Sequence, residues 1–167
     1  GEMERRRKET FEALQREGAI GRNGRLSLEA VPQRIVLIGS PGTAGHTDFL
    51  AHLRNNPYGY ALDVGCLDAP VQGVQAVGPL VAALHQAGRA ALSTPVDAVV
   101  LVGGGGAKLD LDVFNDLTLC RTIAAMQVPV ITGIGHETDS RLVDFVAHTH
   151  CKTPTAVADW LIERIAA

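Results

Sequence analysis

The segment Gly-His-Glu-Thr-Asp, residues 135–139, places an imidazole beside two carboxylates at the end of an apolar run. A histidine at a strand end can act as a general acid or base, with a neighbouring acid orienting its ring. Thr138 or Asp139 could instead cap a following helix, but capping leaves His136 without a role. We therefore favour a chemical function for this segment.

A run of four glycines forms a second candidate site. It follows an apolar stretch, Ala98–Val102, and precedes a helical pattern that starts near Asp110. Strand, glycine-rich turn and helix together point backbone N–H groups at an anion. The spacing matches neither a Walker loop nor the dinucleotide fingerprint, and the alternative is an ordinary connecting loop. Because consecutive glycines are entropically costly, we predict anion contact by Gly103, Gly104, Gly105 and Gly106.

Two further features are weaker signals. Asp48 lies eight residues after Ser40, and an aspartate early in a helix is ordinary dipole chemistry. His148 and His150 are two residues apart in a predicted helix, so they do not share a face. The sequence therefore predicts no metal site there.

Composition limits the class of protein. The chain has 167 residues, of which 46% are hydrophobic and 20% charged, enough for one domain with a short appendage. It contains no membrane-length apolar stretch and opens on no signal peptide. Three widely spaced cysteines, Cys66, Cys120 and Cys151, fit a reducing cytosol and match no zinc spacing. We expect a cytoplasmic protein, and the turn-rich connector and abrupt start suggest a piece of a longer chain.

Charge is distributed unevenly along the chain. Residues 1–34 carry a net charge of +2, whereas residues 35–167 carry −5, giving −3 in total. The arginine run at residues 5–7 is typical of a solvated helix face. The net negative charge of residues 35–167 does not attract nucleic acid. A polyanion bound there therefore needs local hydrogen-bond donors or partner domains.

Apolar runs alternate with helical patterns from residue 32 onward, which predicts an α/β fold: a doubly wound, Rossmann-like, mostly parallel four-stranded sheet with helices on both faces. The expected divisions are residues 1–30 as a helix and connector, 31–152 as the α/β domain, and 153–167 as the start of a C-terminal helical region. Loops after parallel strands emerge at one edge. We therefore expect Asp48, Gly104, His136 and Asp139 to line one crevice.

These residues resemble the central domain of the exodeoxyribonuclease VII large subunit family, over nearly the whole chain. The most specific match is Gly-His-Glu-Thr-Asp followed five residues later by Asp-Phe-Val-Ala. Other matching segments are Ala13–Gly18, Pro32–Ile35, Ser40-Pro41 with Ala44 and Asp48, Val71–Gly73, the glycine run with Asp110, Phe114 and Asn115, and Thr153-Pro154.

The resemblance implies hydrolysis of single-stranded DNA from either end to short oligonucleotides, without added metal or another cofactor. It implies catalytic roles for Asp48, His136 and Asp139, and phosphate contact by the glycine run. It also implies a small-subunit partner, bound through a region absent from this chain, and no membrane.

The chain departs from the family at several cationic positions. The family usually has an arginine at Gly103, and often others at Thr47 and His150. Lys108, in the same loop as Gly103, is our candidate for a partial replacement, because a lysine can neutralise a phosphate oxygen; the alternative is a solvated lysine near a helix start. An alternative function therefore stays open: the chain could keep the family's fold but serve as a DNA-binding or scaffold module. A weaker alternative is a domain that binds a phosphorylated metabolite.

Overall fold

The computed structural model describes residues 1–104, 111–135 and 141–167. Five strands lie in these ranges, and all their pairings are parallel. They are β1 (Arg34–Gly39), β2 (Asp63–Asp68), β3 (Ala98–Gly104), β4 (Val130–Gly135) and β5 (Thr149–Cys151). Their order across the sheet is β2-β1-β3-β4-β5, which is the flavodoxin-like doubly wound arrangement.

Helices cover both faces of this sheet. They are α1 (Glu2–Arg16), α2 (Ala44–Arg54), α3 (Val77–Ser93), α4 (Leu111–Phe114), α5 (Leu117–Ala125), α6 (Leu142–Val146) and α7 (Pro154–Ala166). Helices α1, α3, α5 and α6 contribute to the hydrophobic core on one face, and α2 and α7 to the core on the other. The predicted α/β class with helices on both faces is confirmed.

Strand β1 shows why the central strands are continuous apolar runs. Val36 and Ile38 pack into the core beneath α3 and α5, whereas Ile35 and Leu37 pack into the core beneath α2 and α7. Successive side chains of a strand point to opposite faces, and both faces of this sheet are covered. A buried parallel strand therefore has no polar side.

The prediction of four strands was wrong by one, because the segment after α6 is extended. His148 and His150 were expected to lie in a helix, but the described helix α6 ends at Val146, and β5 pairs with β4 from Ile131↔Thr149 to Gly133↔Cys151. His148 precedes this strand. Its Nδ1 lies 2.8 Å from Thr149 Oγ1, and its Nε2 lies 3.1 Å from the Leu26 carbonyl oxygen.

The helical pattern that was expected to start near Asp110 forms two helices, α4 and α5, in the described residues. Asp116 separates them because it caps α5: its Oδ2 accepts a hydrogen bond of 2.9 Å from the amide of Leu119. An aspartate cap satisfies an amide that lacks an intrahelical partner, so the second helix begins at Leu117.

Helix α7 starts directly over β4. A Cβ atom on Gly133 would lie 2.6 Å from Cγ2 of Val157 and 2.9 Å from the Thr153 carbonyl oxygen. Only glycine permits this close approach. Thr153 caps the helix by accepting from the amide of Ala156 at 3.1 Å, and Pro154 occupies its first position, as the sequence predicted.

The connector between α1 and β1 is tied to the α/β core by Asn23, whose side chain is fully buried. Its Nδ2 donates to the carbonyls of Met126 and Val128 at 3.2 and 3.0 Å, and its Oδ1 accepts from the amide of Val130 at 2.8 Å. At the end of α1, Arg121 Nε donates to Glu17 at 2.9 Å. This pair lowers the pKa of Glu17, chiefly through the hydrogen bond.

Within the three described ranges, no helix combines the length and the apolar character that crossing a bilayer requires.

Candidate active site at the carboxyl edge

The carboxyl ends of β1, β3 and β4 are neighbours at one edge of the sheet. Gly103 pairs with Ile134 and Gly104 with Gly135, so the chain leaves β3 and β4 at the same level. The strand order reverses between β1 and β3, which is where open α/β sheets bind ligands. The expectation that the loops after these three strands start from one edge is confirmed.

The predicted site residues differ in what the structure says of them. Asp48 is an exposed residue in the second turn of α2, the helix that follows β1. Gly103 and Gly104 are the last residues of β3. Other predicted residues lie outside the described ranges, so their convergence with Asp48 stays a prediction: Gly105, Gly106, Lys108, His136 and Asp139.

Gly103 has no room for a side chain while Phe114 keeps its position. A Cβ atom at Gly103 would lie 2.8 Å from Cζ and 3.1 Å from Cε2 of the Phe114 ring, and 3.6 Å from Cδ1 of Ile134. Phe114 is itself buried in the core. An arginine at Gly103 would therefore require the ring to shift.

A tight turn joins β1 to α2. The amide of Thr43 donates to the carbonyl of Ser40 at 3.3 Å, with Pro41 second in the turn and Gly42 third. Gly42 has a φ of +86°, so the turn has the proline and glycine positions of a type II turn. This turn places the N-terminus of α2, and with it Asp48, beside the end of β1.

A half-buried carboxylate, that of Asp144, anchors the chain just after residues 136–139. Oδ1 of Asp144 accepts a hydrogen bond of 2.7 Å from Thr132, a fully buried residue of β4, and Oδ2 accepts from the amide of Arg141 at 3.0 Å. Arg141 is only 7% exposed. The first turn of α6 is thus fixed to the middle of β4, which sets where the preceding segment must end.

A hydrogen bond of Asn115 connects the chain after the glycine run with the chain after residues 136–139. Its Oδ1 accepts from the amide of Leu142 at 2.8 Å. Asn115 directly follows Phe114, whose ring contacts Gly103. The end of β3 and the start of α6 are therefore linked through two consecutive residues.

The cysteines near this edge are poor nucleophiles. Burial raises the pKa of Cys151 to about 11, with a further contribution from the Asp144 carboxylate. Burial also raises the pKa of Cys120 strongly, and Asp116 and Asp144 add to the effect. Because the thiolate is the reactive form, neither thiol is a candidate for nucleophilic catalysis at neutral pH.

Metal-ligating side chains do not cluster in the part of the chain that the structure describes: no group of three or more His, Cys, Asp or Glu side chains could hold an ion there. A cavity of about 740 Å³ opens at the opposite, amino edge of the sheet, beside Arg34, Tyr60 and Asp97. Asp97 has a structural task there, since its Oδ2 accepts from the amides of Gln33 and Arg34 at 2.7 and 3.0 Å.

Sequence reasoning missed the residues that hold the site together. Asp144 entered only as part of a matching segment, although an acid three residues after a helix start is a recognisable capping position. Thr132 is a polar residue within an otherwise apolar strand. Its hydroxyl was the one feature of the sequence that indicated a buried hydrogen bond at this position. His46, which is buried beside the end of β1, gave no sequence signal.

The five parallel strands, their order β2-β1-β3-β4-β5 and the helices on both faces define the class: a doubly wound α/β domain. Residues 20–167 match the family model described as exonuclease VII, large subunit. The chain belongs to this family.

Individual relatives agree with that assignment. Proteins named exodeoxyribonuclease 7 large subunit are 38% identical over 159 residues in Delftia acidovorans, 40% over 155 in Nitrosomonas eutropha and 41% over 147 in Bordetella pertussis. The alignments cover 87%, 90% and 87% of this chain, and 35%, 33% and 30% of the relatives. The chain therefore spans about a third of the length of the relatives it matches.

Proposed function

We propose that this chain is the catalytic domain of an exodeoxyribonuclease that hydrolyses phosphodiester bonds of single-stranded DNA to short oligonucleotides. The supporting observation is that the family match at residues 20–167 includes both candidate segments, which leave adjacent strands where Gly104 pairs with Gly135. This observation supports placing both the chemistry and the phosphate binding at one edge of the sheet.

In this proposal His136 is the general acid or base. Asp139 or Asp48 orients its ring or the attacking water. Water attacks phosphorus, the base takes the proton of the water, and the P–O bond to the leaving nucleotide breaks as the leaving oxygen gains a proton. The negative charge that develops is stabilised by backbone amides of the glycine run, Gly103–Gly106, and by Lys108.

The described residues support this assignment by fixing both ends of the reacting segment. Gly135 is held in β4 by its pairing with Gly104, and Arg141 is held by the Asp144 carboxylate. Only five residues separate these two fixed points. Fixed ends so close in the sequence support the assignment of His136 as an oriented group, and well-oriented groups lower the barrier through a smaller entropy loss.

The partners follow from the same assignment. The substrate is single-stranded DNA, and the small subunit binds through a region outside this chain. All three cysteines, Cys66, Cys120 and Cys151, are free thiols, which supports a reducing, cytoplasmic environment.

The test is cleavage of end-labelled single-stranded and double-stranded DNA by the full-length protein, with and without a chelator. Asp48→Asn, His136→Gln and Asp139→Asn should each lower single-strand cleavage by about 100-fold or more. Asp159→Asn, which alters an exposed carboxylate on α7, should retain the wild-type rate. Wild-type inactivity on single strands, or equal rates in all variants, would refute the proposal.

One observation favours a second candidate function, a DNA-binding or scaffold module with little activity. The family usually carries an arginine at position 103, and here that position is a glycine whose missing Cβ leaves space filled by Phe114. Losing a charged donor at a phosphoryl site commonly costs several kcal/mol. Single-strand binding without cleavage in the assay above would favour this candidate.

A further inference from the structure

His46 is a buried polar side chain without a partner among the described residues. It is 6% exposed, and its Nε2 makes no hydrogen bond in the described part of the chain. A buried polar atom without a partner is costly, and it usually marks strain, a functional role or a site for a bound group. The buried side chains of Asn23 and Thr132, in contrast, have hydrogen-bond partners.

The position of this imidazole is specific. His46 is the third residue of α2, and its Cδ2 lies 3.3 Å from the place that a Cβ atom on Gly39 would occupy. The same Cβ would lie 3.0 Å from Cγ2 of Val102. Cδ2, the ring carbon bonded to Nε2, therefore lies against the carboxyl ends of β1 and β3, between which the strand order reverses.

The N-terminus of α2 is open at the same place. Thr43 occupies the capping position, but its hydroxyl donates to the Ser40 carbonyl at 2.6 Å and accepts no amide. The first intrahelical bond of this turn runs from Thr47 to Thr43. No described residue accepts a hydrogen bond from the amides of Ala44, Gly45 or His46, and the first turn contains no acidic residue.

We propose that the N-terminus of α2 and Nε2 of His46 form a second oxyanion site, distinct from the glycine run, that takes a phosphate group. Three amides that no described residue accepts from, and the positive end of an 11-residue helix, attract an anion. A phosphate oxygen gives Nε2 an acceptor, which no described residue supplies. This inference rests on the proposed function in one respect: the phosphate belongs to the backbone of single-stranded DNA.

Such a site would hold the strand close to the chemistry. Asp48 lies four residues after Ala44, a rise of about 6 Å along the helix. A phosphate at the start of α2 and a second at the glycine run would bracket the end of the sheet. His46 then positions substrate and takes no part in proton transfer.

The experiment measures thermal unfolding of the full-length protein against inorganic phosphate, with chloride replaced at constant ionic strength. A ligand that binds only the folded state stabilises it by RT ln(1 + [L]/Kd), so the unfolding temperature rises with the logarithm of the ligand concentration once that concentration exceeds Kd. The variants are His46→Leu, which removes Nε2, and Ala44→Pro, which removes one amide. Proline suits the first helical position, and Thr43 already has the extended backbone, with ψ of 151°, that a following proline requires. His85→Leu is the control, because His85 is an exposed histidine on α3.

In the wild type and in His85→Leu we expect the unfolding temperature to rise with phosphate concentration along the curve that RT ln(1 + [L]/Kd) describes. The apparent phosphate affinity should fall about tenfold in His46→Leu and about fivefold in Ala44→Pro. Without phosphate, His46→Leu should unfold at the same or a higher temperature, because it removes an unsatisfied buried group. An equal phosphate response in the wild type and both variants would overturn the site. If His46→Leu does not fold, Ala44→Pro decides alone, since it leaves the imidazole in place.

A competition arm identifies the source of the phosphate. Single-stranded oligothymidylate should displace inorganic phosphate from the wild type, with weaker competition in His46→Leu. Phosphate binding without competition would overturn the assignment to DNA. Because none of these measurements depends on cleavage, their failure refutes the oxyanion site alone, whereas absence of cleavage refutes the proposed function alone.

Discussion

A side chain at position 103 would meet the ring of Phe114, so this residue can be tested in two steps. Gly103→Ala adds only the Cβ that lies 2.8 Å from Cζ of the ring. We expect it to lower the free energy of unfolding by about 1–3 kcal/mol, the usual cost of overpacking a core. Urea unfolding measures this cost, and a stability equal to that of wild type would show that Phe114 moves freely.

Gly103→Arg should carry the same steric cost and add a cation. The effect of the charge on cleavage is therefore measured by comparing Gly103→Arg with Gly103→Ala. A separate variant, Lys108→Ala, tests whether the lysine in the same loop contributes to cleavage. If the lost arginine limits the reaction, Gly103→Arg should cleave single-stranded DNA faster than Gly103→Ala. Equal rates in the two variants would exclude that explanation. A lower rate in Lys108→Ala would show that Lys108 contributes.

The three thiols should differ in reactivity toward iodoacetamide. Cys66 is exposed on β2, whereas Cys120 is buried and Cys151 is half-buried. Burial raises the pKa of all three thiols, to about 11 for Cys151. We expect Cys66 to be alkylated first, with a rate that rises with pH as its thiolate forms. Mass spectrometry of time points checks this order, and early labelling of Cys120 would contradict the packing of α5.

Among the elements, the buried strands were predictable and the short ones were not. β1, β3 and β4 are apolar runs covered on both faces, and covered strands must be apolar. β5 has only three residues, including the polar Thr149 and His150, so no periodicity distinguishes it. Its pairing with β4 supplies the stabilisation that its composition does not reveal. The break between α4 and α5 depends on one aspartate cap, Asp116, within an otherwise helical pattern.

The same reasoning explains which parts of the candidate site were foreseeable. Segments that leave adjacent parallel strands must share an edge, so placing the glycine run and Gly135 together required only the strand order. The ties made by Thr132, Asp144 and Asn115 join residues 12 to 27 positions apart. Contacts of this kind depend on side-chain orientation in the folded state, and no local pattern encodes them.

The connector provides a prediction at the scale of elements. Asn23 makes three buried hydrogen bonds to the segment that leads from α5 into β4. Asn23→Ala would leave two carbonyls and one amide without this partner, and we expect a loss of about 2–4 kcal/mol of stability. Asn55→Ala is the control, because Asn55 is exposed at the end of α2. A difference below about 1 kcal/mol between the two variants in urea unfolding would show that water replaces the side chain.

At the scale of the whole molecule, the net negative charge of the chain disfavours binding of the proposed substrate, single-stranded DNA. Residues 35–167 carry a net charge of −5, and the +2 of residues 1–34 includes the cations of α1. Arg5 in that helix is already paired with Glu2 and Glu9. Favourable contacts with DNA must therefore come from a few local donors, since the net negative charge of residues 35–167 repels a polyanion.

This chain by itself should consequently bind single-stranded DNA weakly. Each neutralised phosphate contributes about −0.7 to the slope of log affinity against log salt concentration for single strands. The two proposed phosphate sites, at the glycine run and at the start of α2, would give a slope of about −1.4. Fluorescence anisotropy with labelled oligothymidylate over a series of salt concentrations measures both affinity and slope. A variant carrying Arg6→Gln and Lys8→Gln should leave the slope unchanged, because these cations of α1 are not assigned to the strand. Tight binding at physiological salt, or a slope that becomes shallower in that variant, would show that α1 is the main DNA-binding surface.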